Sequence, residues 1–322
     1  MNNELPTYSV VIEWENARLS ELQRTREMLK ALREQIAQSE HPRPETIILH
    51  DKEHVGRQLI EDIIGEACKL EAWPADIRII PTDGLNYYEQ KNFGAQQCDT
   101  DLITFLDSDV IPERGWLAGL LEAFEDPDVQ VVHGNVYIDV QGLYSKAFAL
   151  FWFFPRRAEG NGLYQTTNYS PANNVTFRRA TFEAFKYPSR PTFRGQCGAL
   201  SQTLRNHGIA TYCQPKSHVS HPPPNGLRHF VNRAVCTGHD WVLRRHLNPE
   251  KRDPSLATSY IWYRRHLRRA QKRIAVGYRE VQLGPVGAVG ALGIAAGYYT
   301  AAFAGAWLTL VQPRLVHRLF SI

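Results

Sequence analysis

The chain has 322 residues, 43% hydrophobic and 22% charged, which suits one large or two modest globular domains. Its net charge of +4 is mild and unevenly spread, and no nucleic-acid partner is expected. Five cysteines, an odd number without framework spacing, argue for a reducing compartment and against a disulfide scaffold. The first thirty residues hold no apolar core preceded by basic residues, so no signal peptide is expected.

Tyr8–Ile12 reads as a short buried strand, followed by Glu13-Trp14-Glu15-Asn16. From about Leu19 to Gln38, Leu22, Met28, Leu29, Leu32 and Ile36 recur at helical spacing among charges. Pro42 and Pro44 end that helix, and Glu45–Asp51 is a second strand closing on His50 and Asp51. A helix over about 55–71, a strand at Ile77–Ile80 and a turn at Pro81–Gly84 follow. A helix carrying Lys91, Asn92 and Gly94 then leads into the strand that begins at Asp101. Strands alternating with helices of this length predict a parallel sheet with helices on both faces.

The stretch Asp101-Leu-Ile-Thr-Phe-Leu-Asp107-Ser-Asp109-Val-Ile-Pro112 begins as a buried strand and ends in two carboxylates one residue apart. On extended backbone, side chains alternate faces, so Asp107 and Asp109 are expected to point the same way. In an open α/β sheet, ligands bind beyond the carboxyl ends of the strands. Two acids so close repel unless a cation sits between them, and a hard divalent ion carrying substrate phosphates would suit. The plainer alternative is a strand followed by a solvated Asp-Ser-Asp turn.

Further on, Trp116–Phe124 reads as a helix and Val129–Val136 as a strand. Residues Tyr144–Tyr169 are aromatic and read as irregular, a composition that marks core or a packed lid more often than a ligand stack. Asn173–Arg179, a following helix, Phe193–Gly198 and a helix to about His207 come next. Gln214–Pro224 reads as a loop rich in Pro and His.

Taken together, the Val10–Ile12 strand, His50-Asp51, Lys91-Asn92-x-Gly94 and Asp107-Ser-Asp109 resemble the family-2 glycosyltransferases in order and spacing. Asn173-Asn-Val-x-Phe-Arg-Arg179, the Gly195–Gly208 segment and His221 extend the resemblance to roughly residues 7–240. It implies the nucleotide-sugar-binding α/β fold called GT-A, and transfer of a sugar from a nucleotide-diphosphate donor with inversion. By the same resemblance, Asp51 hydrogen-bonds the nucleobase and Lys91 lies near the nucleotide or its phosphates. Asp107 and Asp109 hold Mn²⁺ or Mg²⁺ on the diphosphate, Asp109 more directly, and His221 adds a metal contact or simply caps a Pro-rich loop. Arg178, Arg228 and Arg233 are further basic candidates for the donor.

The chain departs from the family pattern twice. The first strand normally runs into Pro-Thr-x-Asn; here Glu13-Trp14-Glu15-Asn16 stands there, so at least one acid should be solvated or paired, and Trp14 would pack near the nucleobase. The family's acceptor helix usually begins Glu-Asp, the Asp being the general base, whereas Gln196 and Cys197 occupy those positions. A thiol of pKa about 8.5 is a poor base at neutral pH. Three explanations stay open: an acceptor already ionised, as a phosphate oxygen would be; another base, such as Asp240 or His218; or binding of a nucleotide sugar without transfer.

The last third is organised differently. Tyr263–Arg279 carries seven basic residues, Arg264, Arg265, Arg268, Arg269, Lys272, Arg273 and Arg279, with no acid among them, and Leu283–Val311 has no charged residue at all. Basic residues beside a hydrophobic run favour the cytoplasmic side of a membrane and attract anionic lipid. The run could be a single span, a re-entrant hairpin or a helix pair packed on the soluble domain, with Arg314 and Arg318 beyond it mildly favouring a hairpin. Gly293-Ile-Ala-Ala-Gly297 offers a close-packing motif and a route to self-association. The expected organisation is a GT-A domain over 1–240, a basic juxtamembrane helix over 241–282 and a membrane-associated segment over 283–322. The expected activity is transfer to a lipid-linked or glycan acceptor on the cytoplasmic face of the cell membrane; the rival is a degenerate member that scaffolds glycan assembly.

Overall fold

A computed structural model gives the structure of residues 5–14, 22–42, 44–68, 73–154, 157, 159–160, 162–167, 170–248 and 253–320. The first half alternates strictly: β1 (Tyr8–Glu13), α1 (Leu22–Ala37), β2 (Glu45–Asp51), α2 (Arg57–Cys68), β3 (Asp76–Thr82), α3 (Tyr87–Gln96) and β4 (Leu102–Asp107). Then come β5 (Ile111–Pro112), α4 (Trp116–Glu122), β6 (Val131–Ile138), α5 (Leu143–Phe151), β7 (Tyr164–Thr166), β8 (Asn174–Arg178), α6 (Arg179–Phe185), α7 (Gln196–Asn206) and β9 (Thr211–His221). The chain closes with α8 (Gly226–His246), α9 (Leu256–Gly277), α10 (Pro285–Val311) and α11 (Pro313–Phe320).

One sheet carries all the described strands in the order β3-β2-β1-β4-β8-β6-β9-β5, with β7 on β9. β1–β4 pair in parallel, while the β4–β8, β6–β8, β5–β9 and β7–β9 pairs are antiparallel. The fold is therefore GT-A-like and mixed, less parallel than alternation predicts. Beyond β4 the strict strand–helix alternation that gives parallel pairing over β1–β4 ends, and β8 runs antiparallel to both β4 and β6. β1 and β4 are buried at every residue, as strands covered on both faces must be. Val11, Ile47, Leu49, Ile103 and Phe105 line one side of them and pack against Phe177, Phe182 and Tyr187.

Two expected irregular stretches are regular. The aromatic run after Leu143 forms α5, burying Ala147, Phe148, Ala149, Leu150 and Phe151; continuous apolar residues gave no helical period to read, but the core reading of its aromatics stands. The Pro- and His-rich segment is the strand β9. Pro215 falls between the β7-paired residues 211–213 and the β5-paired residues 219–220, where a missing N–H costs those ladders nothing.

The contacts divide the chain into two compact units. The first comprises residues 1–136, 158–189 and 196–220; the second comprises 137–157, 190–195 and 221–322. The second is built of α5, α8, α9, α10 and α11. In it, α10 is one unbroken helix of 27 residues, the one described helix long and apolar enough to cross a membrane. The hairpin reading is thereby corrected: nothing turns the chain within Pro285–Val311. Its glycines serve packing instead, and not at the expected pair. A Cβ at Gly293 would meet nothing within 4 Å and one at Gly297 only the Phe230 ring at 3.9 Å, whereas one at Gly305 would overlap the Val235 backbone of α8.

Candidate functional site

In the strand order, β1 is flanked by its successor β2 on one side and by β4 on the other, which makes the β1/β4 boundary the point where the chain reverses its direction of winding. Asp107 ends β4 there, in register with Glu13 at the end of β1. Glu13 is fully buried and Asp107 is 3% exposed. The structure corrects the alternation argument for Asp109: the strand stops at Asp107, and Ser108-Asp109 form the centre of a turn closed by Val110 N–H donating to the Asp107 carbonyl at 3.2 Å. Ser and Asp favour such turns over continued strand. From α1, Arg24 donates to the Asp109 carbonyl at 2.6 Å and to the Ser220 carbonyl and hydroxyl at 2.6 Å, fixing that turn against β9.

Each residue of the Lys91-Asn92-x-Gly94 motif has a separate task on α3. Lys91, completely buried, donates to Asp107 Oδ1 at 2.7 Å. Its ammonium also lies 4.7 Å from the Tyr87 ring centroid and 5.5 Å from that of Phe105, a cation–π setting suited to a desolvated charge. Asn92 clamps the Tyr187 backbone, donating to its carbonyl at 2.8 Å and accepting its N–H at 3.0 Å. A Cβ at Gly94 would sit 2.6 Å from Leu49 Cδ1, so only glycine lets α3 lie this close to the sheet. The helix starts where it does because Asn86 and Glu89 form a capping box.

Around these charges stand tyrosines that sequence reasoning missed. The Tyr87 hydroxyl donates to the Asp107 carboxylate, 2.9 Å from each oxygen. The Tyr88 hydroxyl donates to Cys197 Sγ at 3.4 Å, and the Tyr88 and Tyr187 rings lie 5.0 Å apart. Burial, with Cys197, Tyr88 and Asp107 adding to it, pushes the Tyr187 hydroxyl well above its ordinary range. That hydroxyl has no hydrogen-bond partner among the described residues. The one available signal was the i,i+4 spacing of Tyr87 and Lys91, which places both on one helix face.

The structure thus brings Lys91, Asp107, Asp109 and Cys197 into one region of the first unit, with buried Gln196 opening α7 beside Cys197. Asp51, at the end of β2, accepts from Glu53 N–H at 2.9 Å and pairs with His54 at 2.8 Å. Trp14 is 1% exposed, a core residue and not an open platform for a base; Glu15 and Asn16 lie outside the described residues. His218 is buried, its Nδ1 3.2 Å from the Lys216 carbonyl and 3.9 Å from Glu113.

Arg178 is corrected outright. It registers with Leu102 at the opposite end of β4 from Asp107, about 17 Å away along the strand. Its guanidinium donates to the carbonyls of Val129, Phe124 and Asp126 at 2.9–3.0 Å. Sequence reasoning had no register with which to tell one strand end from the other.

The remaining candidates belong to the second unit. The His221 ring lies 4.7 Å from Phe154 and 5.8 Å from Trp152, with Nδ1 2.6 Å from the Pro222 carbonyl. On α8, Arg228 is exposed and the Arg233 guanidinium sits 5.8 Å from the Trp152 ring. Among the described residues no three His, Cys, Asp or Glu side chains gather to hold a metal. The two acids still fit a hard divalent ion, because such ions take one or two carboxylates and fill the remaining positions with phosphate oxygens and water.

Asp240 supports a loop. Its two oxygens accept the N–H groups of Phe193 and Arg194, each at 2.8 Å, holding the segment that enters α7. A carboxylate 2% exposed and spent on two backbone donors is poorly placed to take an acceptor proton. Burial pushes its carboxyl from 3.8 up to about 6, against the pull of Arg244 and of those two donors. The unfolded chain loses this proton near pH 4 and the folded chain keeps it to about pH 6. The folded state therefore binds more protons in that window, and stability falls as pH rises through it. Relative to wild type, Asp240→Asn should gain about 2–3 kcal/mol between pH 4 and pH 7, read from urea unfolding at both pH values.

Comparison with known proteins bears on the family and the fold. The pre-mycofactocin glycosyltransferases of two Mycobacterium tuberculosis strains, CDC 1551/Oshkosh and H37Rv, are 48% identical over 169 residues, or 51% of this chain. The chain spans about a third of the length of these curated relatives, the match covering 36% of each. A mannosyltransferase from Pyrobaculum calidifontis, solved with GDP-Man and Mn²⁺, superposes with a TM-score of 0.57 at 14% identity, covering 97% of this chain and 89% of that one. At that identity the likeness shows the fold. The model of Glycosyl transferase family 2 matches residues 10–185, which include most of β1, the α3 motif, the Asp107–Asp109 turn and β8, and the chain belongs to that family.

Proposed function

We propose that the chain is a divalent-metal-dependent, inverting glycosyltransferase. It would move a sugar from a nucleotide-diphosphate donor to a lipid-linked or glycan acceptor on the cytoplasmic face of a membrane. The observation that carries this reading is the placement of Asp107 and Asp109 at the β1/β4 boundary, with Lys91 buried behind them. The relatives named glycosyltransferases support it, as does the likeness to a mannosyltransferase that holds GDP-Man and Mn²⁺.

In this reading Asp51 takes the nucleobase, and Asp109 with Asp107 would hold Mn²⁺ or Mg²⁺ against the diphosphate. When bound, the ion supplies charge neutralisation for the departing nucleoside diphosphate. Lys91 and Tyr87 hold the Asp107 carboxylate in place, and Arg24 fixes the turn that presents Asp109. Inversion requires the acceptor oxygen to attack from the face opposite the leaving group. Neither Gln196 nor Cys197, which open α7, is an acid, and Cys197 receives the Tyr88 hydroxyl. An acceptor oxygen already ionised at neutral pH, such as that of a lipid-linked phosphate, would need no base there. The membrane assignment rests on α10, which exposes Val286, Val289 and Val311. Gln196-Cys197 in place of the usual acids favours a second reading, in which nucleotide sugar or glycan is bound but not transferred.

The test is transfer from a panel of radiolabelled nucleotide sugars, with Mn²⁺ or Mg²⁺, into native-lipid membranes, scored in organic-extractable and aqueous fractions. Metal-dependent label in the organic fraction is expected, reduced about 10²–10³-fold in Asp109→Ala. Label in aqueous glycan alone would keep the transferase and reject the lipid acceptor. Nucleotide binding without label from any donor would establish the second reading.

A further inference from the structure

In the second unit a cavity of about 440 Å³ opens between the carboxyl-terminal half of α8 and the amino-terminal half of α9. Trp241 and Arg245 come from α8; Trp262, Arg265, His266 and Arg269 come from α9. The spacings, i and i+4 on α8 and i, i+3, i+4 and i+7 on α9, set each group on one helix face. Three guanidiniums thus converge on one space, and none of the described residues lining it is acidic. α9 has no acid anywhere in its length, and Asp240 on α8 is committed to the Phe193 and Arg194 backbone.

The walls are ordered by aromatic rings. Trp241 and Trp262 lie 5.4 Å apart at 32°, and the Arg245 guanidinium sits 5.1 Å from the Trp241 ring centroid. His266 donates from Nδ1 to the Trp262 carbonyl at 2.9 Å. Burial, then the charges of Arg269 and Arg265, lower its pKa, so the ring adds no cation and the excess charge is carried by arginine. Guanidinium forks match phosphate oxygens in bidentate fashion, and Thr258 adds a hydroxyl to the lining.

We infer that this cavity binds a phosphate ester, and that its natural form is the phosphate headgroup of an anionic lipid. The rim favours the lipid source: lining residue Ile261 is 64% exposed, and Leu256 and Tyr260 near it are 53% and 49% exposed. The far wall also adjoins α10, with His266 and Tyr299 rings 5.6 Å apart, so an acyl chain leaving the cavity would run beside the longest apolar helix. The inference stands apart from sugar transfer, because phosphate binding is read with no donor present.

Full-length protein in neutral detergent would be titrated calorimetrically with dioctanoyl phosphatidic acid, dioctanoyl phosphatidylcholine and glycerol 3-phosphate. Phosphatidic acid should bind, and Arg265→Gln/Arg269→Gln should weaken it by about tenfold or more. Arg264→Gln/Arg268→Gln, which removes the same charge from α9 outside the cavity, should change it by less than about twofold. Arg265→Lys/Arg269→Lys, which keeps charge but loses the forks, should fall between them, and circular dichroism melts check that each variant is folded. Equal binding of glycerol 3-phosphate, with the same dependence on Arg265 and Arg269, would support the phosphate site with a soluble ester as its source. Equal losses in both glutamine pairs, binding of phosphatidylcholine as tight as that of phosphatidic acid, or no binding of either phosphate probe would overturn the inference.

Discussion

Lys91→Met should cost the protein about 3–5 kcal/mol, the range for removing one partner of a buried ion pair. Lys91 and Asp107 are 0% and 4% exposed at their side chains, with Nζ 2.7 Å from Oδ1. Once the ammonium is gone, the two-ended contact from the Tyr87 hydroxyl remains, but a neutral donor cannot balance a charge held out of water. The double variant Lys91→Met/Asp107→Asn should recover more than half of the loss, because the uncompensated charge disappears with its partner. Urea unfolding of the four proteins in this cycle gives the coupling directly. A Lys91→Met variant within about 1 kcal/mol of wild type would mean that Lys91 is a phosphate ligand held near Asp107 only in passing, and not the counter-charge that sets the strand end.

The difference between what the sequence disclosed and what it hid follows from the range of the interactions. β2 matches its expected bounds, β1 lies on the apolar run that marks it and α3 on the helix expected to carry Lys91, because those signals are local. The Asp107–Asp109 pair was legible as chemistry, yet its geometry was not. Of the two geometries weighed, continued strand or turn, the turn is found, and Arg24, 85 residues away, takes the Asp109 carbonyl there. Arg178 shows the same limit, as its end of the sheet is fixed only by antiparallel register with β4. The tyrosines around Asp107 come from α3 and from Tyr187, nearly a hundred residues apart and joined through Asn92. β9 was hidden because proline and histidine read as loop unless the partner strands are known. Cys197 stands where the resemblance expects an acid, and the Tyr88 hydroxyl donates to its thiol.

Gly238→Leu should break the second unit, and even Gly238→Ala should destabilise it, against the usual trend. On an exposed helix Gly→Ala gains about 1 kcal/mol. At Gly238 the added Cβ would overlap the Ala302 carbonyl and lie 2.7 Å from the Ala306 amide. Those are backbone atoms of α10, so no rotamer change relieves the clash and the two helices must separate. Separation would also pull Thr237 from the Tyr298 hydroxyl, now 3.0 Å away, and His239 from Thr309, now 2.8 Å away. The expected loss is about 3 kcal/mol or more for leucine, at the upper end for overpacking, and about 1–2 kcal/mol net for alanine. Gly293→Ala is the internal control, since its Cβ would meet nothing within 4 Å; it should raise the melting temperature slightly or leave it unchanged. Thermal melts of the three variants in one neutral detergent decide the matter. If Gly238→Ala melts with Gly293→Ala, α8 and α10 do not touch at this crossing, and α10 is free to leave α8 for the bilayer.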